Sequence, residues 1–168
     1  EVNDSAAARL LDRAPTPASL AALSEAAIAR LVYPAGFYRT KARSLRAAAR
    51  LLETGHAGRV PETMEELLLL PGVGRKIANL VLSRAFGQDA ICVDTHVHRI
   101  ANRRGWVETR TPEQTERELR RVCPPRYWSA LNDLLVGFGK RVCTPQSPRC
   151  TGCPVAADCR RVGVGRAR

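Results

Sequence analysis

The chain contains 168 residues, 45% of them hydrophobic, and its 27 basic and 16 acidic residues give a formal net charge of +11. This length and apolar content suffice for one compact domain or two small ones, which excludes disorder as the default. No stretch approaches the roughly 20 apolar residues of a membrane-spanning helix, and the opening EVNDSAAARLL lacks the basic and apolar segments of a secretory signal. We therefore expect a cytoplasmic protein that does not enter a membrane.

The excess positive charge is concentrated in three clusters, Arg39 to Arg50, Arg99 to Arg104 and Arg160 to Arg168. A surface of this kind favours a polyanionic partner, most often nucleic acid. An Arg-rich and Ala-rich composition that reflects genomic base bias and solubility is the alternative.

Almost every periodic segment predicts a helix, and hydroxyl residues able to cap stand before several of them. The only strand candidate, DAICV, is short and isolated. The fold class is therefore all-α. The predicted helices, in chain order, are DSAAARLLDRA, TPASLAAL, SEAAIARLV, TKARSLRAAARLLETGH, ETMEELLLL, GRKIANLVLSRAFG, DTHVHRIANRR, TPEQTERELRRV and RYWSALNDLLVGFGKRV.

The segment LPGVGRKIANLV, residues 70–81, predicts a tight turn that leads directly into a helix. Gly72 and Gly74 can adopt backbone angles that other residues avoid, and they let another backbone approach closely. Unpaired N–H groups and the positive dipole end of the following helix form a site for a phosphate. The alternative is an ordinary turn between two helices with glycine as the C-cap.

Lys76 lies in the first turn of this second helix. The positive end of the helix dipole disfavours an ammonium, and the apolar neighbours Ile77 and Leu80 are expected to add desolvation. Both effects would lower the pKa of Lys76 from about 10.4 toward neutrality, as an amine nucleophile requires. A solvated surface lysine is the alternative.

Four cysteines near the end of the chain have the spacing C-x6-C-x2-C-x5-C. Without a secretory signal, disulfides are disfavoured. Structural zinc usually uses two short knuckles, whereas only one C-x2-C pair occurs here, so a [4Fe-4S] cluster is favoured and zinc stays open. The four candidate ligands are Cys143, Cys150, Cys153 and Cys159.

The segments LPGVGRKIANLVL and VDTHVHRIANR, followed by the terminal cysteines, resemble in order and spacing the endonuclease III branch of the helix-hairpin-helix DNA glycosylases. The resemblance covers nearly the whole chain and strengthens the assignment of a [4Fe-4S] cluster. It implies a helical barrel domain over 1–90 and a helical cluster domain over 91–168, with DNA in the cleft between them. It also implies about two further helices before residue 1.

The resemblance assigns catalysis to Lys76 and Asp94. Lys76 would displace a damaged base and form a Schiff base with the sugar, and β-elimination would then cut the strand. Asp94 would assist Lys76, as a base or by stabilising positive charge at C1′. An aspartate before a helix is also a typical N-cap, and one carboxylate oxygen can cap while the other faces a cleft.

DNA contacts are expected at the hairpin and in the loop YPAGFYRTKA, where an aromatic pair lies beside two cations. Phe37 is the candidate wedge that fills the space left by a flipped base, although a hydrophobic staple is an equal alternative. We expect His98 on the surface. The candidate DNA-binding residues are Gly72, Gly74, Arg75, Phe37, Arg39, Lys41, His96 and Arg149.

The implied function is that of a bifunctional DNA glycosylase and abasic-site lyase that removes oxidised pyrimidines in base excision repair. The expected partner is damaged double-stranded DNA, and the protein is expected to be a nucleoid-associated monomer. Two alternatives stay open. A monofunctional mismatch glycosylase would have another residue in place of the lysine, and a non-enzymatic iron-sulfur DNA-binding module would leave Lys76 and Asp94 without a role.

Overall fold

The structure is a computed structural model that describes residues 2–168, and no strand occurs among them. It consists of nine α-helices and a 3₁₀ turn over Pro125–Tyr127, which confirms the all-α prediction. The helices are α1 (Val2–Arg13), α2 (Pro17–Ala22), α3 (Glu25–Val32), α4 (Tyr38–His56), α5 (Met64–Leu69), α6 (Arg75–Ala85), α7 (Thr95–Arg104), α8 (Pro112–Val122) and α9 (Trp128–Arg141). None of the helices in residues 2–168 combines the length and apolar character that a membrane crossing requires.

The helices form two compact units, of which the first ends at Gly74 and the second covers Arg75–Arg168. Lys76 and Asp94 therefore lie in the same unit. The sequence prediction instead divides the chain at residue 90, between these two residues. That functional division into a barrel domain and a cluster domain stays a prediction.

The first unit has a small apolar core built around α4. The α2 and α3 helices both pack on α4, and α1 packs on α3. One face of α4 is apolar, since Ala42 and Ala49 are buried and Leu45 packs against the core. The buried core residues are Ala6, Leu10, Ile28, Val32 and Ala42.

The second unit is organised around α7, which packs on both α8 and α9. The DAICV segment contributes to this core, because residues 90–93 are buried, but it forms no strand. A strand needs a partner for its backbone groups, and no described segment pairs with it. The buried core residues are Ile91, Val93, Val97, Ile100, Ala101, Leu119, Leu131 and Leu135.

Side-chain caps explain where most of these helices begin. Thr16, Ser24 and Thr111 each accept a hydrogen bond from a backbone N–H in the first turn of the next helix. The predicted helix RYWSALNDLLVGFGKRV differs in its first residues, which form the 3₁₀ turn before α9 begins at Trp128. Trp128 Nε1 donates to the carbonyl of Cys123 at 2.7 Å, which anchors that start.

Candidate functional site

The loop between α5 and α6 contains one glycine that the backbone requires. Gly72 has a φ of 83°, and a Cβ at this position would lie 2.8 Å from the Cβ of Ser44. The turn is closed by a hydrogen bond from the N–H of Val73 to the carbonyl of Leu70 at 3.0 Å. The expectation of special backbone angles is wrong for Gly74, which has no positive φ and open space where its Cβ would stand.

Lys76 and Asp94 line the same pocket in the second unit, together with His96, Arg75, Glu113 and Glu116. The pocket has a volume of about 430 Å³ and is open to solvent. This volume lies in the range of about 300 to 1,000 Å³ that small-molecule sites occupy. The structure thus brings the predicted amine and carboxylate to one cavity, although they are separated in sequence and belong to different helices.

Asp94 is the N-cap of α7. Its Oδ1 atom accepts hydrogen bonds from the N–H groups of His96 at 2.8 Å and Val97 at 2.9 Å. Both capping bonds use the same oxygen, so capping does not occupy Oδ2. The carboxylate is therefore held rigidly by the helix start, and its second oxygen is available to the pocket that Asp94 lines.

Lys76 is the second residue of α6, and its side chain is exposed. The neighbouring Ile77 is 41% exposed. Ile77 therefore does not enclose the amine of Lys76, contrary to the expectation from the sequence.

The two histidines after Asp94 have different surroundings. His96 lines the pocket, and its Nδ1 lies 3.1 Å from Nη2 of Arg99. The prediction that His98 lies on the surface is wrong. His98 is half-buried, and its Nδ1 lies 2.6 Å from the hydroxyl of the fully buried Thr115.

Glu116 is a residue of the pocket that sequence reasoning missed. It is only 2% exposed, and its carboxylate receives two bonds from Arg75, from Nε to Oε2 at 3.1 Å and from Nη2 to Oε1 at 2.9 Å. The guanidinium of Arg75, predicted to bind DNA, is thus already paired on one side. Helix α8 has few apolar residues, so its periodicity did not show that Glu116 faces inward.

The loop before α4 displays Phe37, which is 85% exposed and has a φ of 57°. A ring this exposed makes no hydrophobic staple, so that alternative is excluded. The guanidinium of Arg39 lies 5.5 Å from the ring centre of Tyr38, and the ammonium of Lys41 donates to the carbonyl of Gly36. An exposed aromatic residue in the left-handed region is unusual, and it is consistent with a contact role.

The four terminal cysteines border one cavity, and none of them forms a disulfide. Nη1 of Arg103 lies 3.5 Å from Sγ of Cys143, and the exposed Arg149 borders the same cavity. Within residues 2–168 no three His, Cys, Asp or Glu side chains are drawn together tightly enough to hold a metal ion. The donor set nevertheless fits an iron-sulfur cluster, because four free thiols face one space beside a cation.

The other two cysteines are not part of this group. Cys92 is buried, and burial raises the pKa of its thiol. Cys123 is half-buried, and burial also raises the pKa of its thiol. Neither thiol is therefore activated as a nucleophile.

Comparisons with known proteins agree with this fold. The family described as HhH-GPD superfamily base excision DNA repair protein matches residues 1–125. Endonuclease III of Thermotoga maritima is 44% identical over 171 residues, which cover 100% of this chain and 80% of that protein. The chloroplastic endonuclease III homolog 2 of Arabidopsis thaliana is 45% identical over 152 residues, which cover 86% of this chain and 39% of the plant protein.

A solved structure of a trapped endonuclease III–DNA covalent intermediate superposes with a TM-score of 0.86 at 36% identity, over 93% of this chain and 74% of the solved one. The fold and these relatives define a helix-hairpin-helix DNA glycosylase. Within that class, the chain belongs to the endonuclease III family.

Proposed function

We propose that this glycosylase is bifunctional, removing oxidised pyrimidines from damaged duplex DNA and then cutting the strand at the abasic site. The observation that carries the proposal is that the Lys76 amine and the Asp94 carboxylate line one pocket. A monofunctional glycosylase has no need of an amine there. A DNA-binding module would need neither residue.

The chemistry assigns a separate role to each residue. The unprotonated amine of Lys76 donates its lone pair to C1′ of the damaged nucleotide, and the bond from C1′ to the base breaks with the electron pair leaving on the base. The amine proton passes to Asp94. The C1′–O4′ bond then breaks as the nitrogen lone pair forms the C1′=N Schiff base, and O4′ takes up the proton held by Asp94. The Asp94 carboxylate next accepts a C2′ proton, the C3′–O bond breaks with the electron pair leaving on the 3′ phosphate, and the strand is cut.

DNA is held by contacts that do not read sequence. The Gly72 turn and Gly74 lead into the start of α6, where backbone N–H groups favour a phosphate. Arg75, Arg39, Lys41, His96 and Arg149 supply donors to the backbone, and Phe37 fills the gap in the duplex. The formal charge of +11 supports a polyanionic partner of this kind.

Cys143, Cys150, Cys153 and Cys159 would hold the [4Fe-4S] cluster. Bound there, the cluster would supply four iron–sulfur bonds that tie the end of the chain into a closed loop. The loop is also joined to α7 without the cluster, since Nη1 of Arg103 donates to the carbonyl of Thr144 at 2.6 Å and Nη1 of Arg104 donates to that of Val155 at 3.0 Å. The role of the cluster in this proposal is structural.

Borohydride trapping on a duplex that contains thymine glycol or an abasic site tests the function. The chain has three lysines, Lys41, Lys76 and Lys140. We expect a covalent adduct with the native sequence and none with Lys76→Gln. Lys140→Gln is the matched control, because Lys140 is exposed on α9 outside the pocket, and it should trap as the native sequence does.

The same assay separates the alternatives. Release of base without any trapped adduct would favour a monofunctional glycosylase. Binding of the duplex with neither base release nor trapping would favour a non-enzymatic module. Trapping that persists in Lys76→Gln would show that another amine is the nucleophile.

A further inference from the structure

Among the buried residues of the described part of the chain, Glu116 is the only acidic or basic one, and it contacts two arginines. Arg75 pairs with it through two parallel bonds, and Nε of Arg120 lies 3.3 Å from Oε1. Parallel bonds between a guanidinium and a carboxylate restrict orientation as well as distance. A buried carboxylate in this arrangement therefore determines where its partners stand.

The two arginines connect Glu116 to both sides of Lys76. Arg75 is the first residue of α6, directly before Lys76. Nη2 of Arg120 donates to Oδ1 of Asn79 at 3.3 Å, and Asn79 is a buried residue one turn after Lys76. Helix α8 thus contacts α6 at two points within its first five residues, with Lys76 between them.

The first turn of α6 needs such an attachment. The first four N–H groups of a helix have no partner within the helix, and α6 follows Gly72 and Gly74, whose backbone freedom favours fraying. The compact unit that contains α6 also begins at Arg75. Contacts to α8 therefore decide how firmly the first turn, and Lys76 with it, is held in its own unit.

We propose that Glu116 is a positioning residue for Lys76. Through Arg75, and through Arg120 and Asn79, it holds the start of α6 so that the amine faces the pocket shared with Asp94. The proposal rests on the proposed function, since it is Lys76 chemistry that the contact would serve. Glu116 itself does not react, and its carboxylate is occupied by the two guanidinium groups.

Glu116→Gln tests this contact because the amide keeps the shape and loses the charge. We expect the single-turnover rate of borohydride trapping to fall by about 10²-fold, the loss that a displacement of about 1 Å can cause. The dissociation constant for the same duplex should change far less. Amide hydrogen exchange over residues 75–79 should accelerate, while exchange over α7 stays unchanged.

Asp133→Asn is the matched control. It removes the pair between Arg84 and Asp133, which also joins α6 to another helix but lies at the opposite end of α6 and is exposed on both sides. Surface pairs contribute little. The control should trap at the native rate and leave exchange over 75–79 unchanged.

A double-mutant cycle with Arg75→Lys shows whether Glu116 acts through Arg75. Lysine keeps the positive charge and loses the two-pronged pairing, so this variant alone should slow trapping. If the pathway through Arg75 is correct, the double variant is no slower than Glu116→Gln. Should Glu116→Gln fail to fold, Arg75→Lys carries the test with the same rate and exchange measurements.

The inference would be overturned by a folded Glu116→Gln that traps at the native rate, or by additive effects in the cycle. Its failure is distinct from failure of the proposed function. If the native sequence forms no adduct, or if Lys76→Gln still forms one, the function fails. The exchange measurement on the free protein still reports whether Glu116 holds the first turn of α6.

Discussion

The starts of α6 and α7 carry the two candidate catalytic residues, yet they are held in different ways. At α7 the reactive group is its own anchor, because Asp94 accepts two hydrogen bonds from residues that follow it within three positions. At α6 the reactive group is held by others, since Arg75 beside Lys76 pairs with Glu116, which is 41 residues away in sequence. One start depends on local backbone geometry and the other on packing between helices.

This difference suits the roles that we propose for the two residues. A general base must stay at a fixed place and keep one oxygen for the proton, and a cap that uses only Oδ1 achieves that. A nucleophile must approach C1′ and remain attached to the sugar, which a long exposed side chain on a supported helical turn allows. Substitutions of Asp94 should therefore distinguish its capping role from its proposed catalytic role. A substitution in α9 tests whether packing between helices also holds the start of α7.

The largest expected effect on the reaction rate comes from Asp94→Asn, which distinguishes the capping role of Asp94 from its proposed role as a base. Asp94→Asn keeps an oxygen that can cap, since Asn and Asp cap equally well, so stability should hardly change. Catalysis should slow by about 10²- to 10⁴-fold, the usual contribution of a general acid or base. Single-turnover base release and denaturant unfolding measure the two effects.

Asp94→Ala is the control for capping. It removes both roles and should also lower the free energy of unfolding by about 0.5 to 2 kcal/mol. If Asp94→Asn reacted at the native rate, Asp94 would be a cap and nothing more.

A smaller effect is expected where α9 packs against the start of α7. A Cβ on Gly139 would overlap the imidazole of His96 and lie 2.9 Å from Nη2 of Arg99. Gly139→Ala should therefore destabilise the fold by about 1 to 3 kcal/mol, as overpacking does. Because it displaces His96 from the pocket, base release should also slow.

Gly137→Ala is the matched control on the same helix. Its nearest neighbour would be Nη2 of Arg141 at 3.6 Å, an ordinary contact. Alanine is also the better helix former, so stability should rise by about 0.5 to 1 kcal/mol. Urea unfolding measures the free energy of unfolding of both variants. Equal changes in that free energy would contradict the packing described for Gly139.

The smallest expected effect is on the unfolding temperature and comes from Glu113 at the start of α8. Like α7, this helix is capped by a residue next to it in sequence. Hydrogen bonds from its own backbone and from Thr111 lower the pKa of Glu113. A depressed native pKa stabilises the fold above the ordinary carboxyl pKa of about 4.3, and this stabilisation is lost as pH falls through the native pKa.

Thermal unfolding of Glu113→Gln between neutral and acidic pH measures that contribution. The native sequence should unfold at a slightly higher temperature at neutral pH, and the two midpoints should converge as the solution is acidified. Since Glu113 is fully exposed, solvent screens the effect and the difference stays small. If the difference between the two unfolding temperatures grew on acidification, Glu113 would not have a lowered pKa in the folded state.

Most helices could be predicted because their signals are local. Thr111 caps α8 with Pro112 in the first turn, and the apolar face of α4 repeats at helical spacing. The prediction for His98 failed because its hydrogen-bond partner, Thr115, lies on another helix. The strand candidate DAICV is buried and forms no strand, in agreement with the all-α prediction.

Lys76, Asp94 and the four cysteines can be predicted as site residues from the sequence, since each lies in a short motif that resembles the family. What no motif revealed is that Lys76 and Asp94 line one pocket and that a buried Glu116 supports the start of α6. Those facts depend on helices that meet only when the core of the second unit forms. Backbone capping acts over three residues, whereas ion pairing and packing join residues that only the folded chain brings together.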